Sequence, residues 1–545
     1  VTDSPNPNPA PQPSERRDLY TDVLRSPDRT GRFFSWPHPT PAAFEACARH
    51  LDCANYHCEA AADILIRQNR AFNAPPEAIA QAELLAKKNA VCAFTGQQAG
   101  LFGGPLYTIF KAMTVLGWAE RLREILDRPV IPVFWIASDD HDFEEVRWTA
   151  FPDKNNEVMR LSLDDAGLEE RTPVSEITLG EQVNDVLKAM ASAQLDTEFS
   201  QYLRAALAED YQPGRSMPEA FGRWMARLLG PYGLVIFDPS DPAAKELMKP
   251  LLRQELEGYQ ETASALAEIN QRIDEAGYDQ QVAHAANHTH LFYNQNGRHA
   301  VKAEDGDVLS VDANGKAHQV DTWIQRLDES PEAFSPGVLL RPVAQSHMFP
   351  VVAAVCGPSE IAYWAQSRAL FDRFDTPMPV ALPRSRATIV EARNRKSAER
   401  LGYDIDDFFG DIEALINVHF EKSFPADLEA EFDRERQDCE ARMQRLRAKV
   451  IDFEPTLEKT FEVDAGRVAG TWDHLQKKVF QAHKRKGDEI RLRFYKLSAH
   501  LYPEGKPQER VFGIPYYINK FGFKIIALIK QQLKIGTQEH QIIEP

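Results

Sequence analysis

A chain of 545 residues with 43% hydrophobic side chains is too long for one ordinary core, so it implies a main domain carrying insertions and at least one separate module. Acidic residues outnumber basic ones by 81 to 63, and the formal net charge of -18 opposes the phosphate attraction on which general nucleic-acid binding depends. Six cysteines with no CxxC spacing offer neither a disulfide framework nor a zinc ribbon and fit a reducing cytoplasm, and no stretch reaches the roughly twenty apolar residues of a membrane span.

Residues 1–17, VTDSPNPNPAPQPSERR, have no apolar h-region and too much proline to pack, so they read as a disordered leader and not as a signal peptide. Residues 18–150 follow as the first part of the core. Cys47, Cys53 and Cys58 cluster there with His50 and His57, and small apolar residues on a helix account for them better than a metal cluster does. Five apolar runs then stand out: Val91–Thr95, Val130–Ala137, Leu234–Phe237, Phe349–Cys356 and Pro379–Leu382. Rich in Val, Ile and Phe and lacking polar alternation, they predict strands buried on both faces, hence an α/β fold with a parallel sheet. The runs lead into TGQQAG, SDDHDF, DPSD, CGPSE and PRSR. Carboxyl ends of parallel strands share one edge, so these polar segments are expected to converge on a ligand cleft.

In TGQQAGLFGGPLYTIFK, Gly96, Gly100 and Gly104 would let backbone N–H groups approach a ligand, with Gln97 and Gln98 between them. Pro105 suits the first turn of a helix ending near Leu126, whose N-terminus would favour an anion, with Tyr107 and Lys111 on its first turns. The pattern is neither GxGxxG nor a P-loop. Next, Asp139-Asp140-His141-Asp142-Phe143-Glu144-Glu145 concentrates titratable groups where the sheet edge should open. His141, held by neighbouring carboxylates that should raise its pKa, is the candidate general base, with Asp142 orienting it. No second histidine falls at metal-ligand spacing, so no metal site is expected.

Residues 151–230 read as an insertion with hairpin pieces VMRLSL and VSEITL followed by helices. Residues 231–250 return to a core strand and helix. A second insertion, 251–340, holds a helical stretch near Leu251 to Ala276 and short strands with turns at Asn296-Gly297 and Asn314-Gly315. His284, His288 and His290 in it read as a loop entering a strand. Residues 341–385 close the core: Arg341 precedes the fourth run, Ser359 and Glu360 cap the helix after it, and Arg384 follows the fifth. From 386 to 500, apolar residues at three- and four-residue steps, Leu428 through Val450 and Leu457 through Val479, predict two long helices turning at Pro455, an antiparallel coiled-coil arm with solvated outer faces. Residues 501–545 form a C-terminal segment. There is no GxSxG elbow, and no cysteine sits where neighbouring charge would lower its pKa.

Four segments, TGQQAGLFGGPLYTIFK, IPVFWIASDDHDFEEV, LLRPVAQSHMFPVVAAVCGPSEIAYW and QERVFGIPYYINKFG, closely resemble the BshC family of bacillithiol biosynthesis in the same order and over nearly the whole chain. Ser359 departs from the small residue, often glycine, expected there. The resemblance implies a Rossmann-like parallel-sheet core with inserted connective subdomains, a long C-terminal antiparallel coiled coil, a homodimer, and a cytoplasmic ligase that adds cysteine to the amine of glucosaminyl-malate. A free carboxylate does not acylate an amine usefully in water, so ATP, with magnesium, is expected as cosubstrate, with no tightly bound cofactor. Under this reading the Gly96–Gly104 loop holds phosphate or a substrate carboxylate, His141 deprotonates the amine, and Lys111, Arg341 and Arg384 grip the malate carboxylates. The alternatives are a metal-dependent hydrolase built on the DDHD segment and a non-catalytic assembly factor that recruits another protein through its arm.

Overall fold

Each of the five apolar runs forms a strand: β1 (Val91–Gln97), β2 (Val130–Ile136), β3 (Val235–Phe237), β4 (Val351–Cys356) and β5 (Val380–Pro383). The computed structural model describes residues 16–87, 89–165, 167–283, 285–304, 308–311 and 317–545. All pairings in this sheet are parallel, in the order β5-β4-β1-β2-β3. β1 runs past Thr95 because Gly96 and Gln97 stay in register with Trp135 and Ile136. β2 and β3 add on one side of β1 and β4 and β5 on the other, which sets the topological switch point between β1 and β4.

The strands are buried on both faces, as runs without alternation require. On one face Phe94, Trp135, Phe237 and Phe349 form a closed aromatic ring, with centroids 4.8 to 6.4 Å apart. Burying each such side chain contributes about 1.5–3 kcal/mol, so this ring is a main anchor of the core. Helix α1 (Leu106–Leu126) lies against β1 and β2, and helices α2 (Arg341–Met348) and α3 (Pro358–Arg373) flank β4 in sequence.

Two compact units divide the chain: the described residues up to 154 with 159–389 and 509–545, and residues 155–158 with 390–508. Within the first unit, the expected leader lies outside the described residues except for its end. Arg16 and Arg17 are part of the fold there: Arg16 pairs with Asp274 and Asp279, and Arg17 N donates to Gly277 O. In the insertion at 151–230, Trp148–Pro152 pairs with Val158–Ser162, but VSEITL is not a strand. Its Val174 and Ser175 N–H groups donate to Asp140 and Ser138 carbonyls, which winds Val174–Glu176 into a 3-10 turn. The single helix expected near 251–276 is two, Pro242–Glu257 and Tyr259–Glu275, broken at Gly258. The second insertion forms a five-stranded antiparallel sheet, and its first hairpin turns through Asn296 and Gly297 at φ 54° and 106°. His284 and the Asn314-Gly315 turn lie outside the described residues. The last residues also belong to this unit: His540–Ile543 pairs in parallel with Arg386–Ile389, so the chain leaves the core after Ile389 and not at 386.

The second unit contains α4 (Ala426–Phe453) and α5 (Glu458–Lys486), joined by a short 3-10 turn that starts at Pro455. Phe432 meets Trp472, Phe424 meets Phe480 and Arg447 meets Glu458, so partner numbers fall as the chain advances and the helices are antiparallel. Among the described residues no helix is long and apolar enough to cross a membrane.

Candidate active site

Four of the five strand ends meet at the switch point in a cleft of about 440 Å³. β1 supplies Gly96, Gln97 and Gln98, β2 Ala137 and Asp140, β4 the segment from Cys356 to Glu360, and β5 leads to Arg384. The fifth end, after the edge strand β3, does not line the cleft, and its Asp238 accepts instead from Ser138, Ser240 and the Ser240 N–H.

The glycine-rich loop does not cradle a ligand. Gly100 and Gly104 are buried against each other, and a Cβ on Gly100 would lie 2.6 Å from Gly104 Cα. The Gly103 N–H donates to the Tyr211 hydroxyl, Gly104 N–H to Leu101 O, and Leu106 N–H to Phe512 O. With those donors consumed inside the protein, neither the loop beyond Gln98 nor the start of α1 offers a phosphate site, and Pro105 stands at the cap position instead of inside the first turn. Gly96, Gln97, Gln98 and Tyr107 do line the cleft. Tyr107 accepts from Gln97 Nε2 at 3.4 Å, its ring faces the Arg384 guanidinium at 5.7 Å, and burial pushes its hydroxyl pKa up.

In the segment after β2, Asp140 is the residue that faces the cleft. Burial alone would raise its pKa, but Arg341 and Arg298 outweigh that and hold the carboxyl below its ordinary value, helped by Gln98 Nε2 at 2.9 Å. His141 is not part of the cleft lining, and its Nδ1 stands 3.5 Å from Arg298 Nη1. Its pKa is lowered, first by burial and then by Arg298, the reverse of the expected rise. Asp142 does not orient it as expected: its carboxylate accepts the Glu145 N–H at 3.1 Å and caps the short helix Phe143–Val146. The proton-acceptor role expected of His141 therefore lacks its geometry.

The three cations expected to hold substrate are already matched by the protein's own acids. Lys111 pairs with Glu360 at 2.7 Å and also donates to Gly96 O and Gln97 Oε1. Arg341 pairs with Asp140, and Arg384 with Glu509 at 2.7 Å, the last pair 3% exposed on both sides. Glu360 also accepts the Gly357 N–H at the start of α3, while Ser359 stands exposed at the rim. Two charged residues of the lining are left over. Arg510 and Glu145 are exposed, and among the described residues neither has an oppositely charged partner. In the sequence Glu145 reads only as part of the acidic segment and Arg510 only as part of the QERVFG motif, and neither is given a role there. Arg510 opens the RVFG run, and Glu145 is the last acid of DDHDFEE, so the signal was present but did not say which charge would stay unpaired. Arg298 was also missed: it is 5% exposed and reaches Asp140 from the Asn296-Gly297 hairpin.

Among the described residues no group of three or more His, Cys, Asp or Glu side chains is placed to hold a metal ion. A phosphate-bearing cosubstrate would have to be met by Arg510 and by the first turn of α3, because the Gly100–Gly104 loop faces inward.

Two family models match the chain: "Bacillithiol biosynthesis BshC, N-terminal Rossmann-like domain" over residues 10–385 and "Bacillithiol biosynthesis BshC, C-terminal coiled-coil domain" over 387–545. Among curated relatives, the "Putative cysteine ligase BshC" of Salinibacter ruber is 31% identical over 532 residues, covering 96% of each chain. The protein of the same name from Symbiobacterium thermophilum is 32% identical over 512 residues, with 90% of this chain and 91% of that one covered. The one from Geobacillus thermodenitrificans is 27% identical over 533 residues, with coverage of 96% and 97%.

Proposed function

The chain belongs to the BshC family of bacillithiol biosynthesis, and from that premise we propose that it is a carbon–nitrogen ligase joining the carboxyl group of cysteine to the amine of glucosaminyl-malate. The observation that carries this reading is the pair of unmatched charges in the switch-point cleft, cationic Arg510 and anionic Glu145. A substrate bearing both carboxylates and an ammonium group is complementary to such a pair. Lys111, Arg341 and Arg384, each bound to an internal acid, act as a fixed scaffold that shapes the cleft.

Cysteine must arrive or be made activated, as an acyl phosphate or acyl adenylate, and ATP with magnesium is the cosubstrate of this proposal. The reaction is placed in the cytoplasm, where low-molecular-weight thiols stay reduced, and the working form is a homodimer through the arm. The metal-hydrolase alternative gains nothing from the described residues, which hold no set of metal donors.

The test is reconstitution with glucosaminyl-malate and cysteine, with and without ATP and magnesium, following product together with AMP, ADP and phosphate. Nucleotide-dependent amide formation is the expected result. No product under any nucleotide condition, with the purified chain folded, overturns the ligase reading and leaves the assembly-factor reading.

A further inference from the structure

We propose that Glu145, and not His141, takes the proton from the attacking amine in this cleft. This rests on the ligase reading above. An aminosugar amine is largely ammonium near neutral pH and cannot attack a carbonyl carbon until it loses a proton. The group that accepts it must line the cleft, be able to ionise near neutral pH, and not be held by a cation of its own.

The lining residues fail these conditions one after another, with a single exception. Asp140 is clamped by Arg341 and Arg298. Glu360 is bound to Lys111 and to the Gly357 N–H. Cys356, Tyr107 and Tyr363 all have pKa values raised by burial, so they stay protonated. Glu145 remains. It lies in the short helix Phe143–Val146 that Asp142 caps, its Oε1 is 3.3 Å from Gln97 Nε2, and it is exposed, so a proton it accepts can pass on to solvent.

The groups around it favour that task. Loss of water at the cleft wall raises its pKa most, followed by Asp142 and Asp140 from its own segment and, more weakly, Glu360 from α3, while Lys111 from α1 opposes them. Tyr107, also on α1, faces it as a neutral phenol. The carboxylate is thereby a stronger base than an ordinary glutamate.

The ammonium N–H bond breaks and its proton forms the O–H of neutral Glu145. The freed lone pair attacks the carbonyl carbon of an acyl phosphate or acyl adenylate of cysteine, made from a nucleoside triphosphate. The C–N bond forms first, giving a tetrahedral species; Glu145 releases its proton to solvent and accepts the second amine proton as that species collapses and the C–O bond to phosphate or AMP breaks.

The experiment compares wild type, E145Q, E145D and H141N. Binding of glucosaminyl-malate is measured by calorimetry, and kcat is measured from pH 5 to 9. E145Q should bind glucosaminyl-malate more weakly, because the ammonium group loses its counter-charge, and at saturating substrate it should lose about 100-fold or more in kcat together with the acid limb of the kcat profile, which reports groups in the substrate complex. E145D should restore the limb, and H141N should keep both rate and limb. An E145Q enzyme that retains the acid limb, at whatever rate, overturns the assignment while leaving the ligase reading intact. A folded wild type that makes no product overturns that reading and this inference with it.

Discussion

Arg510 and the buried Arg384 both line the cleft, yet only one of them has charge to spare. A guanidinium already engaged by a carboxylate gains little from a second, whereas a hydrogen bond from an unpaired charged group is worth about 1.5–3 kcal/mol, or roughly 10- to 100-fold in affinity. R510Q should therefore raise KM for glucosaminyl-malate by about that factor and leave kcat nearly unchanged, the signature of binding lost equally from ground and transition states. Steady-state kinetics check it, and a fall in kcat at constant KM would move Arg510 from binding to chemistry. A second residue makes a pH prediction far from the cleft. Glu255 is fully buried, accepts from Thr262 Oγ1 at 2.6 Å, and has its pKa pushed up to about 8 by desolvation, against the pull of Arg373. Its folded value lies above the unfolded one, so its contribution to stability is whole below the unfolded carboxylate range and declines as pH rises towards about 8. Urea denaturation at pH 5 and pH 8 should show wild type losing more stability across that interval than E255Q, and equal losses would refute a neutral buried carboxyl.

The elements divide sharply into those legible in the sequence and those that were not. All five core strands could be read because a continuous Val, Ile and Phe run has few fates other than burial on both faces. The Asn296-Gly297 turn was legible for a similar reason, since few residue pairs tolerate positive φ twice in succession. The glycine loop was misread because glycine permits a ligand cradle and a tight internal turn equally well. What decides between them is Phe512, which takes the Leu106 N–H from some four hundred positions away in the chain. VSEITL failed in the same way: its alternation fits a strand, but the carbonyls of Ser138 and Asp140 claim its first N–H groups. Charge pairing in the cleft was the least legible feature, because Glu509 and Arg510 are neighbours in sequence and only the fold decides that one is consumed by Arg384. The internal role of the loop makes its own prediction. A methyl group on Gly100 would meet backbone at 2.6 Å, so G100A should lower stability by about 1–3 kcal/mol through overpacking. KM for both substrates should stay where it was. A thermal or urea melt with steady-state kinetics separates the two effects, and a raised KM in a stable variant would return the loop to ligand binding.

At the scale of the whole molecule, the arm leaves more apolar surface in water than a finished structure would. None of the α4 side chains is buried, and Leu446 and Leu475 are about half exposed, at 50% and 48%. On α5, Val468, Trp472 and Leu475 fall at steps of four and three, which puts them on one face, and with Thr471 they line an apolar recess. Trp472 also packs on Phe432 of α4, so this face borders the hairpin's own seam, and Val468 and Leu475 are the part of it left in water for another surface to cover. In a chain whose net charge of -18 makes identical copies repel one another, a copy-to-copy contact must gain its energy from such apolar surface. The proposed homodimer places the stripe of Val468 and Leu475 at its seam. Sedimentation velocity should then show wild type as a dimer and V468E/L475E as a monomer, because two carboxylates per copy would have to lose water in the contact. Far-UV circular dichroism should stay unchanged, since both positions face outward on a helix that α4 already supports. The same variant tests what the arm is for. Every residue that lines the cleft belongs to the first unit, so a monomer that keeps wild-type kcat assigns the arm to assembly alone. A monomer that loses kcat ties the cleft to the second copy, and a variant that still sediments as a dimer removes this stripe from the interface.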